Sequence, residues 1–553
     1  MMILRVVALL CSLLGYYWLL AEQTRPEFAP GLIVTGIGSL VFLAGLANCL
    51  SFAVWLICGM GCFLMGVQLY RKRKIRTVLT FSGILLLLLC LYFLANLYGL
   101  KLTGYDDFSH WGVVARILVE ENRFPNLTDQ ILTFQAYPVG SAALIYYFVK
   151  ISGIHAEWMW LYAQAVAVLG LYLGIFAFAE SWRQKAFLLL VFLILLCSNI
   201  FFINLLVDTL ITACALNVMC FSLYYRDSLL RVRWWLLPYT VFLLAVKTSG
   251  MFYVLVVFGY VLLKCRKAKE WKKLFPIVLL SLLPLLLWRL HVRVVFPDGM
   301  ISKHAFSFQY FAATLADKNW SGIKYILVHL MLRTFSPKLE TVYLLAFLIA
   351  LAALTGQEWK RKETLLREVL QIIMESACLY GVLLFIMYLI SMPWYEAEQL
   401  AGFERYLRTY TGFAAGLLSI VLVRFPLNAV ERGNYRRAER KLLAAQGIWI
   451  VILLLTMGRR SDFYLRWPME HERRTYAETI IEENNLPSGK KCLVVVNDET
   501  SDKGYLEYMF RYLLNSPDVK VLTLEERKEM ADTQQFDQTD YEIMWNPGSD
   551  IKD

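Results

Sequence analysis

Two aspartates stand side by side in 103-TGYDDFSHWGVVARILVEENRFP-125, directly after an apolar stretch. Held close together, Asp106 and Asp107 repel each other, so one is expected to hold its proton unusually tightly unless a cation is bound. Such a pair can serve as general base, metal ligand or both. His110 follows Asp107 by three residues, which is expected to put both on one helix face. Trp111, Val114, Ile117 and Leu118 continue as an apolar stripe, predicting a helix that lies on a membrane surface. The plain alternative is an Asp-Asp N-cap for that helix, since acidic residues favour helix N-termini. The two readings are compatible.

Three other segments place charge against apolar sequence. Asp208 lies between two apolar runs in 204-NLLVDTLITA-213, where a carboxylate is costly unless it faces water or a partner; a helix cap at a tight corner is the alternative. Lys247, in 243-LLAVKTSGMF-252, has apolar sequence on both sides and is either a functional cation or one that snorkels to the interface. Arg405 and Arg408, in 402-GFERYLRTYTGF-413, precede a late apolar run. An arginine there can grip a phosphate through two parallel bonds, or pair with Glu404 or Glu398. Tyr406 and Tyr410 read equally well as interface anchors. His155, His291, His304 and His329 are scattered and read as structural, and the sequons at Asn126 and Asn319 carry little weight.

The elements that hold these residues are membrane spans. The 553 residues are 58% hydrophobic and 18% charged, which excludes an ordinary soluble domain, a disordered chain and a disulfide scaffold. Continuous runs of Leu, Ile, Val and Phe, without alternation, exclude a transmembrane barrel. Apolar segments at 3–21, 31–48, 52–70, 77–99, 157–179, 186–206, 209–225, 234–247, 249–264, 274–291, 339–356, 369–391, 409–424 and 442–458 predict an α-helical polytopic membrane protein of about 14 transmembrane helices. The net charge of +11 resides in short clusters between the runs, at 71–76, 180–185, 226–233, 264–273, 358–363 and 432–441. That is the positive-inside pattern and not a nucleic-acid surface. With all six clusters inside, the spans alternate consistently, provided that 138-PVGSAALIYYFVK-150 does not cross. The outer face then receives 100–156, a corner at 207–208, 292–338, 392–408 and everything after 459. Three spans before residue 71 place the N-terminus outside. No signal-peptide cleavage site is convincing. The 11 cysteines lie mostly in apolar runs, with no CxxC or Cys/His metal spacing.

Residues 1–458 therefore read as a transmembrane domain, with 100–156 and 292–338 as its two large outer loops. Residues 459–553 read as a small C-terminal extracytoplasmic α/β appendage. There 492-CLVVV-496 and 518-DVKVLTL-524 predict strands, and 503-KGYLEYMFRYLLN-515 predicts a helix between them. No glycine-rich phosphate loop is present, and the tail after about 530 is expected to be poorly ordered.

The order of these pieces resembles the polytopic glycosyltransferase C superfamily, in particular bacterial relatives of dolichyl-phosphate-mannose-protein mannosyltransferases and of lipid A aminoarabinose transferases. The resemblance rests on 105-YDDFSHW-111, 137-YPVGSAALIYY-147, 204-NLLVDTLIT-212, 244-LAVKTSG-250 and 403-FERYLR-408, in that order. It covers about residues 80 to 425. The Pro-Pro or His-Pro-Pro common before the re-entrant helix is reduced here to Tyr137-Pro138, and four expected spans rather than one precede the acidic loop. The resemblance implies a transferase that takes a sugar from a polyprenyl-phosphate donor embedded among membrane lipids and passes it to an acceptor glycan, lipid or protein. It implies Asp106 or Asp107 as base, and Arg405, Lys247, Tyr406 and Arg408 at the donor. It also implies a divalent cation, Mg or Mn, on Asp107, His110 and Asp208. A polymerase of lipid-linked polysaccharide, using Arg293 and Arg333, and a flippase-type transporter are the competing readings. A transporter is expected to show repeated broken spans and midplane charges, and neither is evident.

Overall fold

The computed structural model describes residues 1–71, 80–198, 202–267, 270–296, 308–336, five positions between 341 and 348, 365–424, 435–456, 469–497, 502–532 and 540–546. The expected span at 339–356 falls mostly outside these residues, as do the cluster 358–363 and most of 71–76. Every other expected span coincides with a described helix.

Among the described residues, eight helical stretches are long and apolar enough to cross a membrane: Met2–Gln23, Pro26–Leu46, Leu50–Tyr70, Glu157–Phe178, Leu229–Val246, Trp271–Val295, Leu365–Ile390 and Phe403–Val423. Phe81–Leu97, Asp208–Tyr224 and Leu442–Thr456 are shorter apolar helices. The chain is thus an α-helical polytopic protein with a small C-terminal sheet. The helices are α1 (Met2–Gln23), α2 (Ala29–Leu46), α3 (Leu50–Tyr70), α4 (Phe81–Leu97), α5 (Gly112–Glu121), α6 (Gly140–Ser152), α7 (Glu157–Tyr172), α8 (Trp182–Ser198), α9 (Asp208–Tyr224), α10 (Leu236–Val246), α11 (Gly250–Lys267) and α12 (Phe275–Val295). They continue with α13 (Phe308–Ala316), α14 (Trp320–Thr334), α15 (Leu365–Ile390), α16 (Phe403–Arg424) and α17 (Tyr435–Thr456).

Helices α2, α7, α9 and α16 form the centre, with α7 and α16 packed on α9 and α2 on α7. Peripheral helices leave apolar faces open. On α12, Leu279, Leu283, Leu286 and Leu290 recur at helical spacing and are exposed, as expected of a face that meets lipid. Some polar side chains inside the bundle bond between helices: Thr240 to Ser281 at 2.7 Å, Trp449 to Ser419 at 2.8 Å.

Contacts fix which helix ends lie together. The Arg5 Nε–H donates to the Ile151 carbonyl at 3.0 Å, so the start of α1 lies at the end of α6, beside the chain leading into α7. At the other end of α1, the Arg25 N–H donates to the Tyr225 hydroxyl at 2.9 Å, next to the basic cluster 226–233. Gln184, in the cluster 180–185, reaches the Val423 carbonyl at the far end of α16. The acidic loop and the starts of α7, α9 and α16 therefore share one end of the bundle, and the described basic clusters share the other.

One expectation about the acidic segment needs correction. The apolar stripe does not lie free on a membrane surface. Asp107–Trp111 form one wide π-type turn, α5 follows, and nearly all of both is buried between α6 and the C-terminal unit. Asn122 closes α5 in the left-handed conformation and ties it to α6 by accepting from the Tyr146 hydroxyl at 2.8 Å. Helix α6 itself has 13 residues, about 20 Å at 1.5 Å per residue, too short for a hydrocarbon core of roughly 30 Å. It is enclosed by α1, α2, α5 and α7 and not laid on a surface.

The C-terminal unit comprises α18 (Met469–Glu483), β1 (Cys492–Val496), α19 (Lys503–Leu514), β2 (Val519–Thr523), α20 (Leu524–Asp532) and β3 (Tyr541–Trp545). The sheet is parallel, in the order β2-β1-β3, and β1 is buried on both faces, which explains its unbroken apolar run. The third strand corrects the expectation of a poorly ordered tail at Tyr541–Trp545, while 533–539 and 547–553 lie outside the described residues. Ile543 and Trp545 are buried, but Glu542 and Met544 alternate with them, and so short a period-two pattern in polar sequence gave little signal.

Candidate active site

The residues singled out from four separate segments meet at one end of the bundle. The Arg405 guanidinium donates to the Asp106 carboxylate at 2.6 Å and lies 3.4 Å from that of Asp208. Lys247 Nζ donates to the other Asp208 oxygen at 3.3 Å. The result is a continuous chain of alternating charge, Asp106–Arg405–Asp208–Lys247. Tyr406 lies across it, its ring 5.5 Å from the Arg405 guanidinium carbon and 5.6 Å from Lys247 Nζ.

Local structure explains how each arrives there. Helix α16 begins at Phe403, earlier than the apolar run suggests, so Arg405 and Tyr406 stand in its first turn instead of preceding it. Asp208 is the first residue of α9, and its carboxylate goes to Lys247 and Arg405 and does not cap the helix. Lys247 sits where α10 stops: it is extended (φ −160°, ψ 146°), and α11 starts three residues later. Gly250 permits that joint, because a Cβ there would lie 2.2 Å from the Leu243 carbonyl oxygen. Among the described residues, Arg405 is paired with Asp106 and Asp208, and not with Glu404 or Glu398 as the alternative had it. Glu404 faces Arg333 at 3.7 Å.

The two aspartates part company. The Asp106 side chain is 37% exposed and carries the bond to Arg405. Asp107 is fully buried; its Oδ1 accepts the Leu205 N–H at 2.8 Å, fastening the acidic loop to the corner before α9. Gly104 makes room for it, since a Cβ there would fall 2.8 Å from Asp107 Oδ2. Burial pushes the Asp107 carboxyl up to about 8, opposed by the Leu205 N–H and reinforced by the charge of Asp106. Neither aspartate makes a side-chain cap bond at this turn, so the cap alternative is set aside.

His110 faces elsewhere. Its ring lies against Trp111, Phe134 and Tyr137, at centroid distances of 4.5, 5.8 and 5.2 Å. Burial and, secondly, the charge of Lys247 push its pKa down to about 3, so it is neutral at ordinary pH. No group of three His, Cys, Asp or Glu among the described residues is placed to hold a metal ion. Asp107, His110 and Asp208 do not converge as the expected metal set: one is tied to Leu205, one lies in an aromatic cage, and one stands between two cations. Arg408 is half-buried one turn beyond Arg405.

No family model matches the chain, and no curated protein matches it. Among solved structures it is similar to ArnT from Cupriavidus metallidurans bound to undecaprenyl phosphate, at TM-score 0.38 and 14% identity, over 82% of this chain and 91% of that one.

A second ionic cluster behind the acidic loop has no counterpart in the sequence reading. Glu157, the first residue of α7, accepts from the Leu102 N–H at 2.7 Å, from Arg474 at 2.6 and 3.1 Å, and from the Tyr512 hydroxyl at 2.7 Å. A carboxylate opening an apolar run was the available signal for Glu157. Nothing in 471-HERRTYAE-478 distinguishes Arg474 from Arg473.

Proposed function

We propose that this protein is an integral-membrane glycosyltransferase that moves a sugar from a polyprenyl-phosphate donor to an acceptor hydroxyl at the outer face of a cell membrane. One observation carries the reading: Asp106, Arg405, Asp208 and Lys247, from four distant segments, form one ion chain at the bundle end opposite the basic clusters. A base beside two cations at a membrane boundary suits a reaction in which a hydroxyl loses a proton while a phosphate departs. Positive-inside orientation puts that end outside.

The acceptor oxygen forms a bond to the anomeric carbon and gives its proton to Asp106. The bond from that carbon to the phosphate oxygen breaks, and its electron pair leaves with the polyprenyl phosphate. Arg405 and Lys247 balance the charge that builds there. A donor phosphate that competes for the Arg405 guanidinium loosens its bond to Asp106 and frees that carboxylate to accept the hydroxyl proton. Tyr406 offers its ring to both cations and holds them at the donor, with Arg408 one turn deeper. Asp107 holds the loop and does not touch the reactants. The residues expected to bind Mg or Mn do not fit that role, and the phosphate charge is assigned to the two side-chain cations.

Arg333, which a polymerase reading would use, bonds the Gln399 carbonyl at 3.0 Å and faces Glu404. A transporter is disfavoured because the charges gather at one end and not at midplane.

The test is Arg405→Ala, with membranes assayed for transfer from a polyprenyl-phosphate sugar. Loss of a charge-assisted contact to the leaving phosphate, about 3 kcal/mol, slows transfer roughly a hundredfold. Arg405→Lys keeps the charge but loses the planar fork, and is expected to fall between the two. An inserted Arg405→Ala protein that turns over donor like the parent overturns the assignment.

A further inference from the structure

The segment that carries Asp106 is held, almost residue by residue, by the C-terminal unit. Leu102 is gripped at both backbone groups: its N–H donates to Glu157 and its carbonyl accepts from Arg474. The Thr103 carbonyl accepts from the Tyr505 hydroxyl at 3.0 Å. The Tyr105 ring meets Tyr508 at 5.1 Å, edge to face. Phe108 packs between Tyr505 and Tyr512, at 5.9 and 5.2 Å. Further on, Arg116 lies flat on the Tyr512 ring, 3.5 Å from its centroid, and donates to the Tyr512 carbonyl at 2.6 Å. Tyr505, Tyr508 and Tyr512 are spaced three and four apart, so one face of α19 makes every one of these aromatic contacts. On the other side of the loop, the Leu205 N–H holds Asp107. Asp106 alone in this stretch projects its carboxylate toward Arg405.

We propose that Arg474 and the Tyr505–Tyr508–Tyr512 face of α19 are positioning residues for the transfer reaction, and that the C-terminal unit presents Asp106 to the substrate. The inference rests on the reading of Asp106 as the base. It differs from a role in stability alone because the contacts converge on one short loop. Arg474 and Tyr512 reach Glu157, at the root of that loop, from two different helices of the unit. A base must stand within hydrogen-bond reach of the proton it takes, and backbone held at 102 and 103 with side chains held at 105 and 108 leaves the carboxylate little freedom to drift.

The full chain in detergent or nanodiscs is examined as parent, Arg474→Ala, Arg474→Lys and Tyr505→Phe. Two readouts are taken on inserted protein: amide hydrogen exchange over 102–116, and kcat with KM for a polyprenyl-phosphate sugar. In Arg474→Ala, exchange over 102–116 is expected to rise. Turnover per inserted molecule is expected to fall about a hundredfold, as for a misplacement on the order of 1 Å, while KM for the donor changes little. Arg474→Lys is expected to recover part of kcat, and Tyr505→Phe to show a smaller loss in the same direction. Should Arg474→Ala fail to insert, Tyr505→Phe and Arg474→Lys decide. Faster exchange with unchanged kcat overturns the positioning role, and unchanged exchange overturns the clamp. A parent that transfers no sugar overturns the proposed function instead, while the exchange measurement still reads the clamp.

Discussion

The two ionic clusters at this end of the bundle use the same chemistry and differ in closure. Around Glu157, both carboxylate oxygens are saturated by four donors, and the Arg474 side chain is 6% exposed. Around Arg405, one short bond reaches Asp106, the approach to Asp208 is looser at 3.4 Å, and the side chains of Arg405 and Asp106 are about a third exposed. A buried pair with every lone pair answered holds backbone in place, and removing one partner strands the other charge. An open pair with spare donors exchanges partners when a competing anion arrives. The difference therefore separates the cluster that builds the site from the one offered to substrate, and neighbouring aspartates fall on opposite sides of it.

That division makes Asp106 and Asp107 the sharpest test. Asp106→Asn removes the only open carboxylate of the doublet, and loss of a positioned base lowers rates by about 10²–10⁴-fold. Asp107→Asn keeps an oxygen for the Leu205 N–H and resembles the protonated carboxyl already favoured at neutral pH, so transfer is expected to remain near that of the parent. Transfer assays on equal amounts of inserted protein decide. Equal loss in both variants breaks the distinction between open and closed carboxylates.

The buried members of the site also give the fold a pH dependence. The folded state raises Asp107 from 3.8 to about 8, so its contribution is fully present below 3.8 and is lost as pH rises toward 8. It lowers His110 from 6.5 to about 3, so that contribution is present above 6.5 and is lost as pH falls. The two slopes oppose each other between about 4 and 6.5. From about 6.5 to 8 only Asp107 acts, and stability falls. Thermal unfolding in detergent is expected to show a midpoint that drops across that upper window, and Asp107→Asn is expected to flatten the drop. A parent midpoint level from pH 6.5 to 8 counts against a protonated Asp107.

The open cluster was legible in the sequence, and the closed one was not. Asp208, Lys247 and Arg405 each interrupt apolar sequence, and a charge where hydrocarbon is expected announces a partner. Their convergence followed from sidedness, because alternating spans deliver all of them to one end. The clamp gave no such signal. Arg474 lies in a polar helix where a charge is ordinary, and its value comes from burial against α7, a tertiary fact. The residues expected to form a metal set do not come together, for a related reason. Spacing of three put Asp107 and His110 on one regular helix face, but the wide turn at 107–111 sends one to Leu205 and the other into an aromatic cage.

The smallest effect is expected at the opposite end. There Glu368, at the start of α15, accepts from the Tyr260 hydroxyl at 2.9 Å and from Lys264, with Arg226 4.0 Å away. Its side chain is 13% exposed, so this cluster is closed like that of Glu157, but it holds together α11, α15 and the segment after α9, and no part of the acidic loop. Glu368→Gln leaves Lys264 with a weaker, neutral acceptor, which costs about 1–3 kcal/mol where the cation stays buried. Unfolding is expected at a lower temperature, with turnover per inserted molecule within about twofold of the parent, because no catalytic contact of the proposed mechanism depends on that end. Turnover that falls as far as in Arg474→Ala would mean that any closed cluster governs transfer through general stability, and the special relation between the C-terminal unit and Asp106 would be lost.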